Sequence, residues 1–300
     1  MVSRFLNYVE IRTKITSLFA FLMTIAYLTY REQPIDWKLT GLFFAGMLLF
    51  DLTTTAINNY IDTKSNDQVL PFERPKALAI LVTLLVFSTI AGLTLVYFTD
   101  AVVLLTGGFC FLVGIFYTFG PVPISRQPLG ELLSGLLYGL FIPFLLLYIN
   151  MPAGTYLSLY LGFDIIRLQV HVVPVLTLLL LSVNPVCATA NIMLANNICD
   201  LEKDVLVKRF TLPYYLGARS LDLFAWIYYI AYGTTLVMIL FGMLPLTCLL
   251  MLLTIWPIRK NIQVFRQKQE KETTFSVSIK NYVILMGSLT VTIFLGGMIS

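Results

Sequence analysis

Long apolar segments occupy most of this chain and restrict its fold more than any other feature. A helix needs about 20 mostly apolar residues to cross a bilayer. Nine segments approach that pattern, at about 15–30, 39–60, 77–97, 101–119, 129–149, 170–198, 221–241, 243–257 and 279–299. They are continuous rather than alternating, and charged residues make up only 12% of the chain. The sequence therefore predicts an all-α, polytopic membrane protein with about nine transmembrane helices, not a transmembrane β-barrel.

Basic residues are distributed unequally among the segments that connect these helices. If the N-terminus is cytoplasmic, only three of the 20 Lys and Arg residues, namely Arg31, Lys38 and Arg167, fall on the outer side. Cytoplasmic loops of membrane proteins carry such an excess of positive charge. The sequence therefore predicts a multi-pass protein of the cell membrane with a cytoplasmic N-terminus. The lipid bilayer is its expected environment, and no nucleic-acid partner is expected.

Two acidic, Asn-rich stretches follow the second and the sixth apolar segments. Their sequences are NNYIDTKSND at 58–67 and NNICDLEKD at 196–204, and both fall on the predicted cytoplasmic side. A carboxylate at the centre of a membrane helix costs about 2.5–3.5 kcal/mol, so carboxylates next to hydrocarbon are usually functional. In both stretches an Asp stands three residues after Asn-Asn. This repeat predicts one domain (1–300) of two related halves, roughly 1–125 and 126–300, around a central cavity.

Oxygen-bearing side chains in the two stretches fall on common helix faces. Residues three or four apart on a helix are neighbours, which groups Asn58 with Asp62, and Asn197 with Asp200 and Asp204. Mg²⁺ takes oxygen ligands of this kind together with phosphate oxygens of a substrate. Basic residues, which suit phosphate recognition, follow both stretches: Arg74, Lys76, Lys208 and Arg209. The sequence thus predicts a Mg²⁺ and diphosphate site at one membrane face.

Three parts of the chain carry longer motifs. They are NNICDLEKDVLVKRFTLP at 196–213, YTFGPVPIS at 117–125 with Leu-Gly-Glu at 129–131, and Arg-Thr-Lys at 12–14. These motifs resemble those of the UbiA superfamily of membrane prenyltransferases, and most closely the 1,4-dihydroxy-2-naphthoate prenyltransferases of menaquinone biosynthesis. The matching parts begin near residue 12 and end near residue 213, over two-thirds of the chain, in the order expected for that family. The resemblance implies a UbiA-like fold.

The resemblance also implies a reaction and a set of site residues. The reaction is the Mg²⁺-dependent transfer of a polyprenyl group from an allylic polyprenyl diphosphate to an aromatic acceptor; dihydroxynaphthoate would lose its carboxylate as CO₂. The implied catalytic residues are Asp62, Asp200, Asp204 and Tyr117. The implied metal ligands are Asn58, Asp62, Asn66, Asp67, Asp200 and Asp204. The diphosphate is assigned to Arg74, Lys76, Lys208, Arg209 and Asn197, and the aromatic acceptor to Arg12 and Lys14.

The first acidic stretch departs from the family pattern. Asn59 stands where the family usually has Asp, and the third acid falls at Asn66, with Asp67 next to it. These differences predict fewer carboxylate ligands in the first motif than in the second. Asp51, an ionisable residue well inside the second helix, is either a structural ion pair or a functional group, and no role is assigned to Asn196.

Several alternatives stay open from the sequence. Within the same superfamily, the acceptor is 4-hydroxybenzoate, haem, chlorophyllide or a sugar phosphate instead of dihydroxynaphthoate. In another class, Asp51 and the duplicated motifs form the cation pathway of a small transporter. A transporter should place charged residues at mid-membrane depth in several helices, whereas the acids here stand mostly at one face. His171 is the only histidine, which disfavours His-based metal sites.

Overall fold

The computed structural model describes residues 1–64, 69–120 and 123–299, which are largely helical. The α-helices are α1 Val2–Tyr8, α2 Ile15–Tyr30, α3 Trp37–Asp62, α4 Arg74–Tyr97, α5 Ala101–Phe116, α6 Gly130–Leu136, α7 Ile142–Asn150, α8 Val172–Cys199, α9 Leu201–Leu206, α10 Leu212–Leu216, α11 Arg219–Leu240, α12 Ile255–Gln267 and α13 Ser276–Ile299. Short 3₁₀ helices cover Ile11–Lys14, Ile124–Arg126 and Leu246–Thr254, and a π-helical turn covers Leu137–Phe141.

Seven helical spans within the described residues are long and apolar enough to cross a bilayer. They are Ile11–Tyr30, Trp37–Asp62, Arg74–Tyr97, Gly130–Asn150, Val172–Cys199, Arg219–Leu240 and Ser276–Ile299. Helix α5 is a shorter apolar helix of 16 residues. The predicted all-α, polytopic membrane fold is confirmed. Two of the nine predicted segments are not among these spans: α5, which is shorter, and the segment at 243–257, which is a nine-residue 3₁₀ helix that continues into the more polar helix α12.

A two-stranded antiparallel hairpin lies between α7 and α8, where the sequence predicts no regular structure. Strand β1 is Leu157–Leu161 and β2 is Ile166–Val170, with Leu157 opposite Val170. Each strand has only five residues, so neither produces an apolar run of helical length. A search for membrane-spanning helices therefore passes over them.

Polar caps and close packing determine how the helices begin and meet. The Asp36 side chain accepts hydrogen bonds from the first backbone N–H groups of α3, and Asp100 does the same for α5. Such side-chain caps satisfy amides that a helix start leaves without partners. At the other end of the chain, α13 packs against α2 and α8. The Tyr282 hydroxyl there donates to the Thr16 carbonyl over 2.9 Å and ties the last helix to the first spanning helix.

Two glycines let the α6–α7 segment approach α8 closely. A Cβ atom at Gly135 would lie 2.9 Å from the Val186 carbonyl oxygen, and one at Gly139 only 2.2 Å from the Val186 nitrogen. No larger residue fits at Gly139 without moving one of the two segments. This packing places the start of α6 beside the end of α8, where the Asn197 side-chain amide donates to Glu131 Oε1 over 2.8 Å.

Candidate active site

The two acidic motifs meet at one end of the helical bundle. Asp62 is the last residue of α3, Asp200 joins α8 to α9, and Asp204 lies in α9. The Asp204 carboxylate lies within electrostatic range of both Asp200 and Asp62. Carboxylates that are far apart in the sequence therefore lie within electrostatic range of Asp204. Like charges repel each other, so this region favours a cation or a basic side chain.

Arg209 is the basic side chain that the fold brings to both motifs. Lys208 adopts a left-handed conformation (φ 58°), and the Arg209 amide donates to the Asp204 carbonyl over 2.8 Å, so the chain turns back toward α9. Arg209 Nε donates to the Ser125 carbonyl over 2.8 Å, and Nη1 lies 3.7 Å from Asp204 Oδ1. The guanidinium is also within electrostatic range of Asp62. Arg209 is thus within electrostatic range of carboxylates in both motifs.

The second motif and its neighbour Glu131 contain buried oxygen atoms that accept no hydrogen bond from the rest of the described chain. Within the described residues, Asp204 Oδ2, Asn197 Oδ1 and Glu131 Oε2 are buried and have no hydrogen-bond partner. Burial raises the pKa of the Asp204 carboxyl, and the neighbouring Arg209 guanidinium partly offsets this rise. A buried acceptor without a donor costs about 1–3 kcal/mol. A set of oxygen atoms that lacks donors fits a hard cation such as Mg²⁺.

The side chains of the first motif divide between the site and the N-terminal helix. Asn58 Oδ1 accepts a hydrogen bond from the hydroxyl of Thr118, two residues beyond the end of α5. Asn59 points elsewhere, and its amide donates to the Tyr8 carbonyl over 2.8 Å and to Glu10 over 3.2 Å. Asn59 therefore holds α1 in place. The two remaining predicted ligands of this motif, Asn66 and Asp67, lie outside the described residues.

The other predicted diphosphate ligands have different surroundings from Arg209. Arg74 donates to the carbonyls of Tyr60 (3.2 Å) and Thr63 (2.9 Å) and so caps the end of α3. Lys76 is exposed, and its ammonium lies 5.6 Å from the centre of the Phe72 ring. Lys208 is exposed at the turn before Arg209. Their contribution to phosphate binding stays a prediction.

An apolar cavity of about 500 Å³ extends from this site through the bundle. Its walls come from α3, α4, α5 and the α6–α7 segment. At the site end it is lined by Asn58 and Tyr117, and at the far end by Leu42, Val96 and Val103. It is thus elongated along the helices. A ligand with a polar head and a long apolar tail matches this shape.

Tyr117 stands where the cavity meets the acidic motifs. Its hydroxyl lies 3.8 Å from the Met193 sulfur, and a Cβ atom at Gly130 would lie 2.9 Å from that hydroxyl oxygen. Glycine at 130 therefore makes room for the tyrosine. Tyr117 lines the cavity and lies within electrostatic range of Arg209 and Asp62; its catalytic role stays a prediction.

A buried ion pair forms part of the cavity wall. Lys14 Nζ lies 2.8 Å from Asp51 Oδ1, and both side chains are almost fully buried. The Ser17 hydroxyl donates to Asp51 Oδ2 over 2.6 Å and the Tyr138 hydroxyl to Oδ1 over 2.7 Å. Lys14 also donates to the Thr55 hydroxyl. The sequence left two interpretations of Asp51 open, a structural ion pair or a functional group, and the structure shows the ion pair.

A second, smaller cavity lies between the start of α2 and the middle of α3. It measures about 370 Å³ and is lined by Arg12, Lys14, Ser17 and apolar neighbours. Ser17 and Met47 line both cavities, so these two side chains stand between them. Arg12 is exposed, whereas Lys14 is held by Asp51. Of the two residues predicted to bind the acceptor, Arg12 is the more accessible.

The sequence model of the UbiA prenyltransferase family matches residues 17–284 of the chain. The chain belongs to the UbiA prenyltransferase family. Membership makes it a multi-pass membrane prenyltransferase rather than the cation-coupled transporter considered from the sequence. No curated protein matches this prenyltransferase in sequence.

Solved structures resemble this UbiA-family protein in fold over nearly the whole chain. A structure described for digeranylgeranylglyceryl phosphate synthase has a TM-score of 0.65 and 17% identity, with 100% of this chain and 99% of that chain covered. A UbiA homologue from Aeropyrum pernix K1 has a TM-score of 0.64 and 14% identity (93% and 98% covered). A homologue from Archaeoglobus fulgidus, bound to GPP and Mg²⁺, has a TM-score of 0.60 and 10% identity (98% and 99% covered). At these identities the likeness concerns the fold.

Two residues that contact the second acidic motif of this UbiA-family protein were not predicted from the sequence as site residues. Glu131 accepts a hydrogen bond from the Asn197 side-chain amide. It could have been predicted from the sequence, because it belongs to the Leu-Gly-Glu segment that resembles the family motif. Lys271 comes from the connection between α12 and α13 and contacts Asn196 and Asp200. No local pattern in the sequence points to Lys271, because its partners lie more than 70 residues away.

Proposed function

We propose that this protein transfers a polyprenyl group from an allylic polyprenyl diphosphate to 1,4-dihydroxy-2-naphthoate, with Mg²⁺ and with loss of CO₂, as in menaquinone biosynthesis. The observation that carries the donor half of this proposal is the convergence of Asp62, Asp204 and Arg209 near Tyr117, which lines an elongated apolar cavity. The diphosphate belongs at the polar mouth and the prenyl tail in the cavity. The positive-inside distribution supports a site on the cytoplasmic side.

Mg²⁺ fits the oxygen-rich end of the site. Asn58, Asp62, Asp200 and Asp204 are the described residues proposed to hold it, with Asn66 and Asp67 outside the described range. Within the described residues, no three His, Cys, Asp or Glu side chains form a metal cluster by themselves. Mg²⁺ typically takes one or two protein carboxylates and completes its coordination with substrate phosphate and water. When bound, Mg²⁺ neutralises charge on the diphosphate and so makes it a better leaving group.

The protein's own side chains support the ionisation of the donor. The C–O bond to the diphosphate breaks, and the electron pair leaves with the phosphate oxygen. The Arg209 guanidinium would donate a hydrogen bond to this oxygen. The allylic cation then lies next to Tyr117 at the cavity mouth, where the π-face of the aromatic ring stabilises positive charge. The apolar walls exclude water that would otherwise capture the cation. An electron-rich aromatic carbon attacks instead, and a new C–C bond forms.

The acceptor half of the proposal rests on the resemblance to the naphthoate branch. Dihydroxynaphthoate carries a carboxylate, and the Arg12 guanidinium is the bidentate partner proposed for it. The carbon that carries the carboxylate takes the prenyl group, and CO₂ leaves with the C–C bond electrons returning to the ring. The Tyr117–Ser125 and Asn196–Pro213 segments, which resemble the naphthoate branch, favour this acceptor over 4-hydroxybenzoate, haem or chlorophyllide.

The test is an assay of purified protein in detergent with Mg²⁺, a long-chain polyprenyl diphosphate and one acceptor at a time. We expect diphosphate, CO₂ and the prenylated naphthoquinol with dihydroxynaphthoate, and no turnover after EDTA treatment. Turnover with 4-hydroxybenzoate alone would contradict the acceptor and leave the donor half intact. Turnover that persists without divalent cations would contradict the role of Mg²⁺.

The length of prenyl tail that the cavity accepts depends on glycines in α5. Gly107 and Gly108 line the cavity, and a Cβ atom at either would meet no atom within 4 Å. A leucine at 108 therefore projects into the cavity, about 13 Å along the helix from Tyr117. A long prenyl tail would have to share this space with the leucine, at a cost of about 1–3 kcal/mol for overpacking. We therefore expect Gly108→Leu to lower kcat/KM for long-chain donors about tenfold or more.

Donor length and a second glycine supply the controls for this experiment. The two-unit tail of geranyl diphosphate should end before position 108 and react at the wild-type rate. Gly233→Leu is the matched variant, because Gly233 is an exposed helical glycine of α11 that also has open space around it. Equal losses for short and long donors in Gly108→Leu would contradict the placement of the tail.

A further inference from the structure

A lysine from a distant part of the chain binds the second acidic motif. Lys271 lies in the connection between α12 and α13, and its ammonium donates to Asp200 Oδ2 over 2.5 Å and to the side-chain oxygen of Asn196. Both partners belong to the Asn-rich stretch that ends α8. Lys271 thereby joins the last connection of the chain to the proposed diphosphate site.

The turn that carries Lys271 is braced by its own hydrogen bonds. The Glu270 carbonyl accepts from the amides of Thr274 and Phe275, each over 3.0 Å, and the Glu270 amide donates to the Thr274 hydroxyl over 2.8 Å. Thr274 is buried, which anchors the turn against the bundle. The Lys271 ammonium lies 5.1 Å from the centre of the Phe275 ring, within range of a cation–π interaction. The backbone of this turn therefore directs Lys271 toward α8.

The second lysine of this connection has a different environment. Lys268 Nζ lies 2.8 Å from Glu270 Oε1, and both side chains are well exposed. An exposed pair of this kind contributes about 0–1 kcal/mol. Lys268 thus has the same charge and nearly the same position in the sequence, but it contacts neither acidic motif in the described residues. It provides a matched control for Lys271.

The contact with Asp200 places the Lys271 ammonium in competition with a divalent cation. Asp200 is a proposed Mg²⁺ ligand, and an ammonium and a divalent cation compete for the same carboxylate oxygens. The Lys271 side chain is 41% exposed and flexible, so its ammonium reaches neighbouring oxygen atoms without a change in the braced turn. A diphosphate held at the same motif brings oxygen atoms that a lysine ammonium binds as a point charge.

We propose that Lys271 is a further diphosphate-binding residue, which competes with the divalent cation for Asp200 and donates to the phosphate oxygens of the prenyl donor. The inference rests on the proposed function and deepens it. The connection between α12 and α13 thus contributes to the site through the contacts of Lys271 with Asn196 and Asp200. Its lysine neutralises charge at Asp200 and then on the leaving diphosphate.

The test compares Lys271→Met with Lys268→Met and wild type in two binding measurements. Mn²⁺ binding to protein without donor, followed by electron paramagnetic resonance, should be tighter in Lys271→Met because the competing ammonium is gone. Binding of geranyl thiolodiphosphate with Mg²⁺, measured by calorimetry, should be about tenfold weaker, the loss expected for one charge-assisted hydrogen bond. Lys271→Arg should recover most of the diphosphate affinity, and Lys268→Met should match wild type in both measurements.

The outcomes separate this inference from the proposed function. Weaker binding of both Mn²⁺ and diphosphate in Lys271→Met would mean that the lysine only supports the fold of the motif, and would overturn the inference. Unchanged binding of both would overturn it as well. If wild-type protein transfers prenyl groups in either case, the proposed function stands. If wild type neither binds the thiolodiphosphate nor turns over, the proposed function fails and this inference fails with it.

Discussion

Asp62→Asn and Asp204→Asn are each expected to lower kcat/KM for prenyl transfer by about 10³-fold, the scale of losing one preorganised electrostatic group at a reaction centre. Each change replaces a carboxylate oxygen by an amide nitrogen of nearly equal size. The amide carries no negative charge, and its nitrogen is not a cation ligand, so the diphosphate loses the charge balance that its departure requires. Diphosphate release from a long-chain donor and dihydroxynaphthoate, followed over a range of Mg²⁺ concentrations, measures the loss.

Stability measurements distinguish a catalytic loss from unfolding. Burial raises the pKa of Asp204, which means that the ionised carboxylate is less favourable in the folded protein than in the unfolded chain. At neutral pH the ionised carboxylate therefore costs stability, and Asp204→Asn should melt at or above the wild-type temperature. Glu202→Gln is the matched control, because Glu202 is exposed on the same short helix. Full activity in Asp204→Asn, or an equal loss in Glu202→Gln, would contradict the assignment of the site.

Asp51→Ala is expected to destabilise the fold by about 3–5 kcal/mol, the cost of removing one member of a buried ion pair. The change leaves the Lys14 ammonium in the cavity wall without its carboxylate, and it also removes the acceptor of the Ser17 and Tyr138 hydroxyls. The melting temperature of the detergent-solubilised protein, followed by size-exclusion chromatography after heating, measures the loss.

Two further variants give this expectation its controls. Lys14→Met combined with Asp51→Leu removes both charges and should recover most of the stability, because replacing a whole buried pair by apolar residues is often neutral. Asp222→Ala removes the exposed pair with Arg266, which has an N–O distance of 2.6 Å, and should change stability by about 0–1 kcal/mol. A double variant less stable than Asp51→Ala would contradict the ion-pair account.

The sequence predicted those parts of the fold and site that depend on short-range patterns. Apolar runs of helical length identified the spanning helices, and the second acidic stretch was recognised because Asn197, Asp200 and Asp204 are separated by three and four residues. The hairpin after α7 was missed because its two strands are shorter than any membrane helix. The division into two related halves, about 1–125 and 126–300, stays a prediction.

The type of a basic residue does not determine whether its side chain reaches the carboxylates of the two acidic motifs. Arg74, Lys76, Lys208 and Arg209 were equal candidates from their positions in the sequence. The left-handed turn at Lys208 directs Arg209 to both motifs, whereas Arg74 hydrogen-bonds the end of its own helix hairpin. Such differences follow from backbone direction at a single residue, and composition contains no information about it.

The sequence by itself determined a membrane-embedded helical protein with two acidic motifs of one family, because hydropathy and helical spacing act over a few residues. Only the tertiary structure decided that Lys14 pairs with Asp51, 37 residues away, and that Lys271 pairs with Asp200, 71 residues away. The reason is that helix packing fixes which faces meet. Close glycine contacts, such as that of Gly139 with α8, set the distances between those faces.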